Sequence, residues 1–333
     1  MPTVRRITFF LVLVAGTLLI IATLLSLLYD VTYWYLKVLD FPRVQVLVGL
    51  LACLVLFVLV NKGWELPSVL FVLGLIASIV LQARIILPYT PLTDVVVESA
   101  EPLSVEPARS FSMLIANVWI KNNQVEAFLD LVAESDPDIV LAMETTEWWV
   151  KHLAPLREQY PHRVLYPQDN TYGMALYSKL PLNNTEVMFL SHETVPSIHT
   201  EVRLPDGSSF MLHAVHPVPP KPSEYPDNIG EEEVALLKVG EMVARTKMPS
   251  IVAGDFNDVA WSKTNRLFGI ESGLGDVRIG RGLYNTFDAT SPVLRWPLDH
   301  VYVSGEFRVV DFERLPPFGS DHFPIYVELV MRK

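Results

Sequence analysis

Three apolar runs in the first 83 residues constrain this chain more than any other feature. Ile7 to Leu28 (ITFFLVLVAGTLLIIATLLSLL) carries no charge, and Val44 to Val60 and Leu66 to Ala83 are nearly as apolar, with one Gln each. A helix that crosses the hydrocarbon core of a bilayer needs about 20 such residues. None of the runs offers the polar face that a surface helix of a water-soluble protein keeps. The expectation is three transmembrane helices within residues 1–90, with the lipid bilayer as a partner. Tyr33, Trp34, Tyr35 and Trp64 fall between the runs, where aromatic rings prefer the headgroup level. Pro67 falls in the first turn of the third helix, where its missing N–H costs little. Arg5 and Arg6 precede the first run as in a signal peptide, but that run is too long for one and two more follow, so a retained anchor is expected. Lys and Arg flank the spans evenly, three on each side. The first helix then governs, and with Arg5 and Arg6 inside, the C-terminal part lies outside the cytoplasm, as in a bacterial inner-membrane protein. Cys53 sits mid-span as a small apolar residue.

The rest of the chain has a different solvent. Residues 1–100 carry 6 Lys and Arg against 5 Asp and Glu, whereas residues 101–333 carry 20 against 32. A single Cys excludes a disulfide framework and a cysteine zinc site, and an apolar half excludes disorder. Residues 91–110 belong to a proline-bearing stretch without helical period and read as an extended linker. From 111 to 333, short runs of Val, Ile and Leu alternate with polar turns. Strands are expected at 112–118, 139–143, 175–178, 187–190, 199–204, 209–215, 251–253, 300–304 and 324–329. Asp206-Gly207 between two of them signals a hairpin. Helices are expected at 125–134, 148–159 and 230–246, the last opening with Glu231, Glu232 and Glu233 to match the helix dipole. This mixture predicts one large α/β sandwich rather than two domains.

The polar residues that stand out sit at strand ends. They are Asn117, Glu144, His216, Asp255, Asn257, Asp299, Asp321 and His322. Strand ends of one sheet can converge on one rim, held by a rigid scaffold. Carboxylates and an amide without thiols form a hard, oxygen-rich set that suits Mg²⁺ or Mn²⁺. A His beside one Asp and oriented by a second is a candidate general base. A further His and an Asn can hydrogen-bond phosphate oxygens as charge develops. Together these parts describe metal-assisted hydrolysis of a phosphate ester.

The pieces IANVW, IVLAMETT, AVHPVPP, VAGDFND, PLDHVYVS and GSDHFPI resemble, in this order, the motifs of the endonuclease/exonuclease/phosphatase superfamily. With the apolar front and the HPVPP variant, the chain is similar to its membrane-anchored bacterial branch, the YafD-like proteins. The resemblance covers residues 111–333. It implies a DNase I-like α/β/β/α four-layer sandwich behind the three spans, and a Mg²⁺- or Mn²⁺-dependent phosphoesterase. It implies that Glu144 is the main metal ligand with Asn117 beside it, and that Asp321 touches the metal directly or through water. It further implies that His322 activates water, that Asp299 orients it, that Asp255 and Asn257 position nucleophile or leaving group, and that His216 bonds the phosphate. The mechanism the resemblance implies is in-line attack by water, without a covalent enzyme intermediate.

Other residues have structural readings. His152, His162, His192 and His199 read as surface or loop residues, His213 as packed or solvated, and His300 as packed, with a phosphate contact as its minor alternative. Ser262 reads as a helix N-cap, and Trp261 is a minor candidate for the substrate rim. No counterpart of an Arg–Tyr phosphate clamp stands between the Glu and His motifs, although Tyr172 and Tyr177 fall there. Three functions are weighed: a phosphodiesterase or nuclease, the same chemistry on a lipid headgroup or small phosphomonoester, and an inactive binding domain on a membrane stalk. The acidic balance lacks the basic field on which non-specific DNA binding draws, and anchoring brings lipid close. The retained acid, base and metal positions disfavour the inactive domain. No protein partner is inferred.

Overall fold

The structure is a computed structural model that describes residues 2–28, 34–101, 105–219 and 235–332. The chain opens with α1 (Pro2–Leu25), α2 (Trp34–Lys37), α3 (Arg43–Val60) and α4 (Leu66–Ile86). Then follow β1 (Ser110–Asn117), α5 (Val125–Ser135), β2 (Ile139–Met143), α6 (Glu147–His152), α7 (Leu156–Gln159), β3 (His162–Tyr166), β4 (Met174–Ser178) and β5 (Leu182–Phe189). The remainder is β6 (Pro196–Arg203), β7 (Ser209–Val215), α8 (Ala235–Arg245), β8 (Ser250–Asp255), α9 (Lys263–Ser272), β9 (Gly275–Asp276), β10 (Asp299–Val303), β11 (Phe307–Arg314) and β12 (Ile325–Met331).

Three helices, Thr3–Leu25, Arg43–Val60 and Leu66–Tyr89, are long and apolar enough to cross a membrane. They pack on one another through Val12, Leu50, Cys53, Phe57 and Leu75. Their outward faces are apolar as well: Leu11, Leu18, Val55, Leu59 and Leu70 are all exposed. A helix apolar all round needs an apolar surrounding. Tyr33 lies outside the described residues.

Two six-stranded sheets, ordered β11-β12-β1-β2-β4-β3 and β5-β6-β7-β8-β10-β9, pack face to face. Alternation along each strand sends one set of side chains into the shared interior. Phe111, Met113, Ile115, Leu141, Leu176, Ile198, Leu212, Ile251, Val301 and Val327 fill it. The other face of the first sheet is covered by α5 and α6 through Phe128, Val132 and Trp149. The other face of the second is covered by α8 and α9 through Val239, Val243 and Phe268. The molecule is therefore the four-layer α/β/β/α sandwich expected.

Local departures have physical causes. The single helix expected over 148–159 is two, because Pro155 cannot donate to a continuing helix and instead precedes α7. β3 and β11 escaped the hydrophobic pattern because they are edge strands with charged residues interspersed. The helix expected over 230–246 is described only as α8, and Glu231, Glu232 and Glu233 lie outside the described residues. Ser262 does cap α9, accepting from the Asn265 N–H. The hairpin at Asp206-Gly207 forms, with Gly207 at φ 88°, a left-handed value that glycine adopts without strain.

The proline-bearing segment after α4 lacks a long helix, as expected, but among its described residues it is not a plain extended tether: it holds 3-10 turns at Leu87–Tyr89 and Pro107–Arg109 and lies against the sandwich. Val97 is buried in the inter-sheet core. Ser99 bridges Val309 in parallel, and the Ala100 N–H donates to the Val309 carbonyl at 2.8 Å. Earlier in the same stretch, the buried Tyr89 hydroxyl donates to the Ala260 carbonyl at 2.8 Å.

Candidate active site

Strand direction assembles the site. β1 and β2 run parallel with Asn117 level with Met143, so Asn117 and Glu144 emerge at the same end. β7 and β8 are also parallel, which brings His216 and Asp255 out at one end of the second sheet. β10 runs antiparallel to β8 with Asp299 opposite Asp255. His322 enters on the loop before β12, which is antiparallel to β1. All eight expected residues thus reach one rim.

Close backbone packing supports this rim. A Cβ on Gly254, at φ 145°, would lie 2.0 Å from the Val215 carbonyl oxygen, so only glycine lets β8 deliver Asp255 here. Glu144 (φ 61°) and Asn257 (φ 53°) are held in the left-handed region, unusual for a glutamate. The Ser320 hydroxyl donates to the Asn117 carbonyl at 2.7 Å and accepts from the His322 N–H at 3.0 Å, pinning the His322 loop to β1.

The side chains form one connected set. The Asn117 amide nitrogen donates to Glu144 Oε1 at 3.0 Å and to Asp255 Oδ2 at 3.1 Å. Its oxygen accepts from the Trp119 N–H at 2.9 Å, and Glu144 Oε2 accepts from the Ile120 N–H at 2.9 Å. His322 Nδ1 lies 2.8 Å from Asp299 Oδ2, and His322 Nε2 lies 3.6 Å from Asp255 Oδ2. His216 Nε2 is also 3.6 Å from that oxygen. Asp255 Oδ1 accepts from the Asn257 N–H at 2.8 Å, and the Asn257 amide donates to the Pro217 carbonyl at 3.0 Å.

Burial shapes the electrostatics. It pushes the Glu144 and Asp255 carboxyls above the usual carboxylate range and Asp321 up to about 6. It pushes the His216 imidazole down. For His322 burial also works downward, but the Asp299 and Asp255 carboxylates outweigh it and push the ring up to about 10. Four carboxyl groups thus share a buried rim with a single favoured cation, an arrangement that costs free energy unless further positive charge arrives.

A divalent cation fits these donors. Asp255, Asp299 and His322 offer ligand atoms all within 4.8 Å of one another. The buried Asp299 Oδ1 has no hydrogen-bond partner among the described residues. Asn117 turns its N–H groups toward both carboxylates, so it reaches a cation at Glu144 through oxygen only with its amide turned over.

A family model described as "Endonuclease/Exonuclease/phosphatase family" matches residues 114–322. The chain belongs to this family. Solved structures with the same fold include the human Nocturnin catalytic domain with bound sulfate anion (16% identity, 68% of this chain and 96% of that one, TM-score 0.52). D. rerio TDP2 complexed with single strand DNA product is similar over 66% of this chain and 98% of its own, at 16% identity and a TM-score of 0.53. A functionally unknown conserved protein from Enterococcus faecalis V583 matches 66% of this chain and 100% of its own, at 18% identity and a TM-score of 0.52.

Within this endonuclease/exonuclease/phosphatase-family domain, several supporting residues carried no sequence signal. The buried Arg278 donates to the Asp299 carbonyl at 2.5 Å and to His300 Nδ1 at 2.8 Å, fixing the strand that presents Asp299. The Thr286 hydroxyl accepts from the Leu298 and Asp299 N–H groups at 3.1 and 3.2 Å. The Tyr172 ring centroid lies 5.5 Å from that of His216, so of the two tyrosines considered it is the one beside the site, whereas Tyr177 is buried under α5 and α6. One expectation is corrected, and one minor candidate drops out. His199 is not a surface or loop residue but a buried one on β6, its Nδ1 2.7 Å from that of His213. Trp261 is not at a substrate rim: it is 2% exposed, and its indole N–H donates to the Asp40 carbonyl at 2.7 Å. His300 is packed, as expected.

Proposed function

We propose that this chain is a membrane-anchored, divalent-metal-dependent phosphoesterase of the phosphodiesterase or nuclease type, on the YafD-like branch. The observation that carries it is His322, bonded to Asp299 on one nitrogen and facing Asp255 with the other, beside the Glu144–Asn117 pair. In the neutral ring, Nδ1–H donates to Asp299, which leaves Nε2 as the acceptor. His322 Nε2 takes a proton from water while the water oxygen bonds to phosphorus. The opposite P–O bond breaks, the leaving oxygen takes a proton from solvent and His322 later returns its own proton to solvent, giving an alcohol and a phosphate product. Asp299 holds the imidazolium that forms, and Arg278 and Thr286 hold Asp299. Asp255 and Asn257 orient the attacking or departing oxygen, and His216 contacts a phosphate oxygen. Glu144, with Asn117 and Asp321, would hold Mg²⁺ or Mn²⁺. Once bound, that ion supplies positive charge to the phosphate oxygens and offsets the carboxylates that keep His322 protonated.

The tether at the rim side supports the anchored reading, because the spans end against loops next to the site. The orientation proposed places the catalytic domain outside the cytoplasm. The test uses full-length protein in detergent with supercoiled plasmid and with a soluble phosphodiester. Turnover in Mg²⁺ that stops with EDTA and returns with Mg²⁺ or Mn²⁺ is expected. Turnover indifferent to chelation sinks the metal assignment, and a folded chain inert toward every phosphate ester leaves the inactive-domain reading.

A further inference from the structure

The loop from Ser291 to Arg295 hangs between the anchor and the site. Val293 is 68% exposed and Leu294 52% exposed, two neighbouring aliphatic side chains that follow the exposed Pro292. The loop is held against the helical bundle. Gln45, in the first turn of α3, donates its side-chain amide to the Val293 carbonyl at 3.1 Å. Phe41, just before α3, packs edge-on against Trp296 with ring centroids 5.8 Å apart. The same loop is held to the catalytic rim. Trp296 stacks on Phe287, whose ring centroid is 5.0 Å from that of His322. The Ala289 N–H donates to the Asp321 carbonyl at 2.7 Å.

Helix geometry fixes the level of the aliphatic pair. α3 has 18 residues, all but its first uncharged, and at about 1.5 Å per residue it just spans a hydrocarbon core. Its first turn therefore marks the boundary between hydrocarbon and headgroups. The loop carbonyl bonded to Gln45 stands at that boundary. Charge on this face is also unlike the rest of the acidic domain. The Arg295 and Arg314 guanidinium groups both lie over the Phe323 ring, 4.9 and 4.3 Å from its centroid. Neither has a carboxylate within ion-pair reach among the described residues, and each donates only to a backbone carbonyl. Two such cations beside two exposed aliphatics form the combination that settles at a phospholipid surface.

We propose that the loop 291–295 is a second membrane contact: Val293 and Leu294 enter the bilayer interface, and Arg295 and Arg314 meet lipid phosphates. The contact rests on the reading of the three helices as membrane spans. It places the catalytic rim at headgroup level, through Phe287 on one side and α3 on the other.

Depth measurement tests the contact without calling on catalysis. The full chain, with Cys53→Ser, takes an environment-sensitive fluorophore at Val293→Cys and is reconstituted in phosphatidylcholine–phosphatidylglycerol vesicles. Separate preparations carry the label at Leu51→Cys in mid-α3 and at Asn183→Cys on the opposite rim. The expected result is a blue-shifted label at 293 that is quenched by lipids spin-labelled near the headgroup, with 183 aqueous and 51 quenched by lipids labelled deep in the chain. A label at 293 as accessible to aqueous iodide as that at 183, while 51 is quenched, overturns the loop contact and leaves the spans intact. A label at 51 that no lipid quenches overturns the spans and the loop contact with them. Neither result depends on phosphoesterase activity.

Discussion

Two buried polar clusters stand on either side of the turn from Asn257 to Ser262, and they handle charge in opposite ways. At the end of the helical bundle, Arg43 is 1% exposed and bonded to the Asp40 carboxylate, to the Gln82 side-chain oxygen at 3.0 Å and to the Ser26 carbonyl at 3.1 Å. Gln82 passes the chain on to the Thr23 hydroxyl at 3.0 Å. One positive and one negative charge cancel, and every guanidinium nitrogen of Arg43 has an acceptor. At the candidate active-site rim, Glu144, Asp255, Asp299 and Asp321 face one imidazolium. A cluster buried for structure is neutral and closed. A cluster that stays net negative in a low-dielectric rim is built at the expense of stability, and a ligand of opposite charge recovers it.

The difference can be broken or sharpened by substitution. The largest effect is expected at the open cluster: His322→Ala should lower hydrolysis by roughly 10²–10⁴-fold, the usual range for general-base catalysis, and Glu144→Gln should abolish most of it through loss of the metal ligand, with thermal unfolding still cooperative in both. Near-wild-type turnover in His322→Ala would remove it as the base. At the closed cluster, Arg43→Leu leaves Asp40 uncompensated and should cost about 3–5 kcal/mol, read as a fall in the melting temperature of the full chain in detergent. Retained stability there would make the two clusters alike.

Asp255→Asn reverses the sign. It should abolish turnover yet stabilise the metal-free chain by about 0.5–2 kcal/mol, and Mg²⁺ should raise the melting temperature of the wild type by mass action but that of the variant far less. Equal shifts in both would show that the Asp255 charge does not help to draw the cation to the rim. The smallest effect lies away from both clusters, at the buried His199–His213 pair. Burial holds these rings down to about 3 and about 4. The unfolded chain then binds more protons than the folded one below about pH 6.5, so stability falls as pH drops from there toward 4. By pH 5 each ring contributes at most about 2 kcal/mol of this loss. His199→Gln should flatten the dependence of melting temperature on pH over that window.

Much of the site was legible because its residues sit where a regular pattern stops. Asn117, Glu144, His216 and Asp255 each close a run of apolar residues, and the strand ends became one rim through parallel pairing of β1 with β2 and of β7 with β8. Legibility fails where a contact joins segments with no local period. Arg278 lies in a loop and acts on Asp299 from 21 positions away. The Trp261–Asp40 bond spans 221 positions, and nothing around either residue announces the other. His199 was misplaced because a histidine in a strand reads as polar, while its neighbour His213 on the next strand supplies the partner that makes burial tolerable. The edge strands β3 and β11 were silent because half-solvated strands mix charge into their pattern.

The Tyr89–Ala260 and Trp261–Asp40 bonds bear on how separable the parts of this chain are. Tyr89 and Trp261 also pack edge to face at 5.7 Å, and Ile86 and Leu298 complete the same buried cluster. Cutting the chain at residue 91 would strip this joint of its upstream half and open a sticky apolar hollow a few residues from Asn257. The helical front is therefore no interchangeable handle: transplanting the sandwich onto another anchor would mean carrying Asp40, Ile86 and Tyr89 along with it.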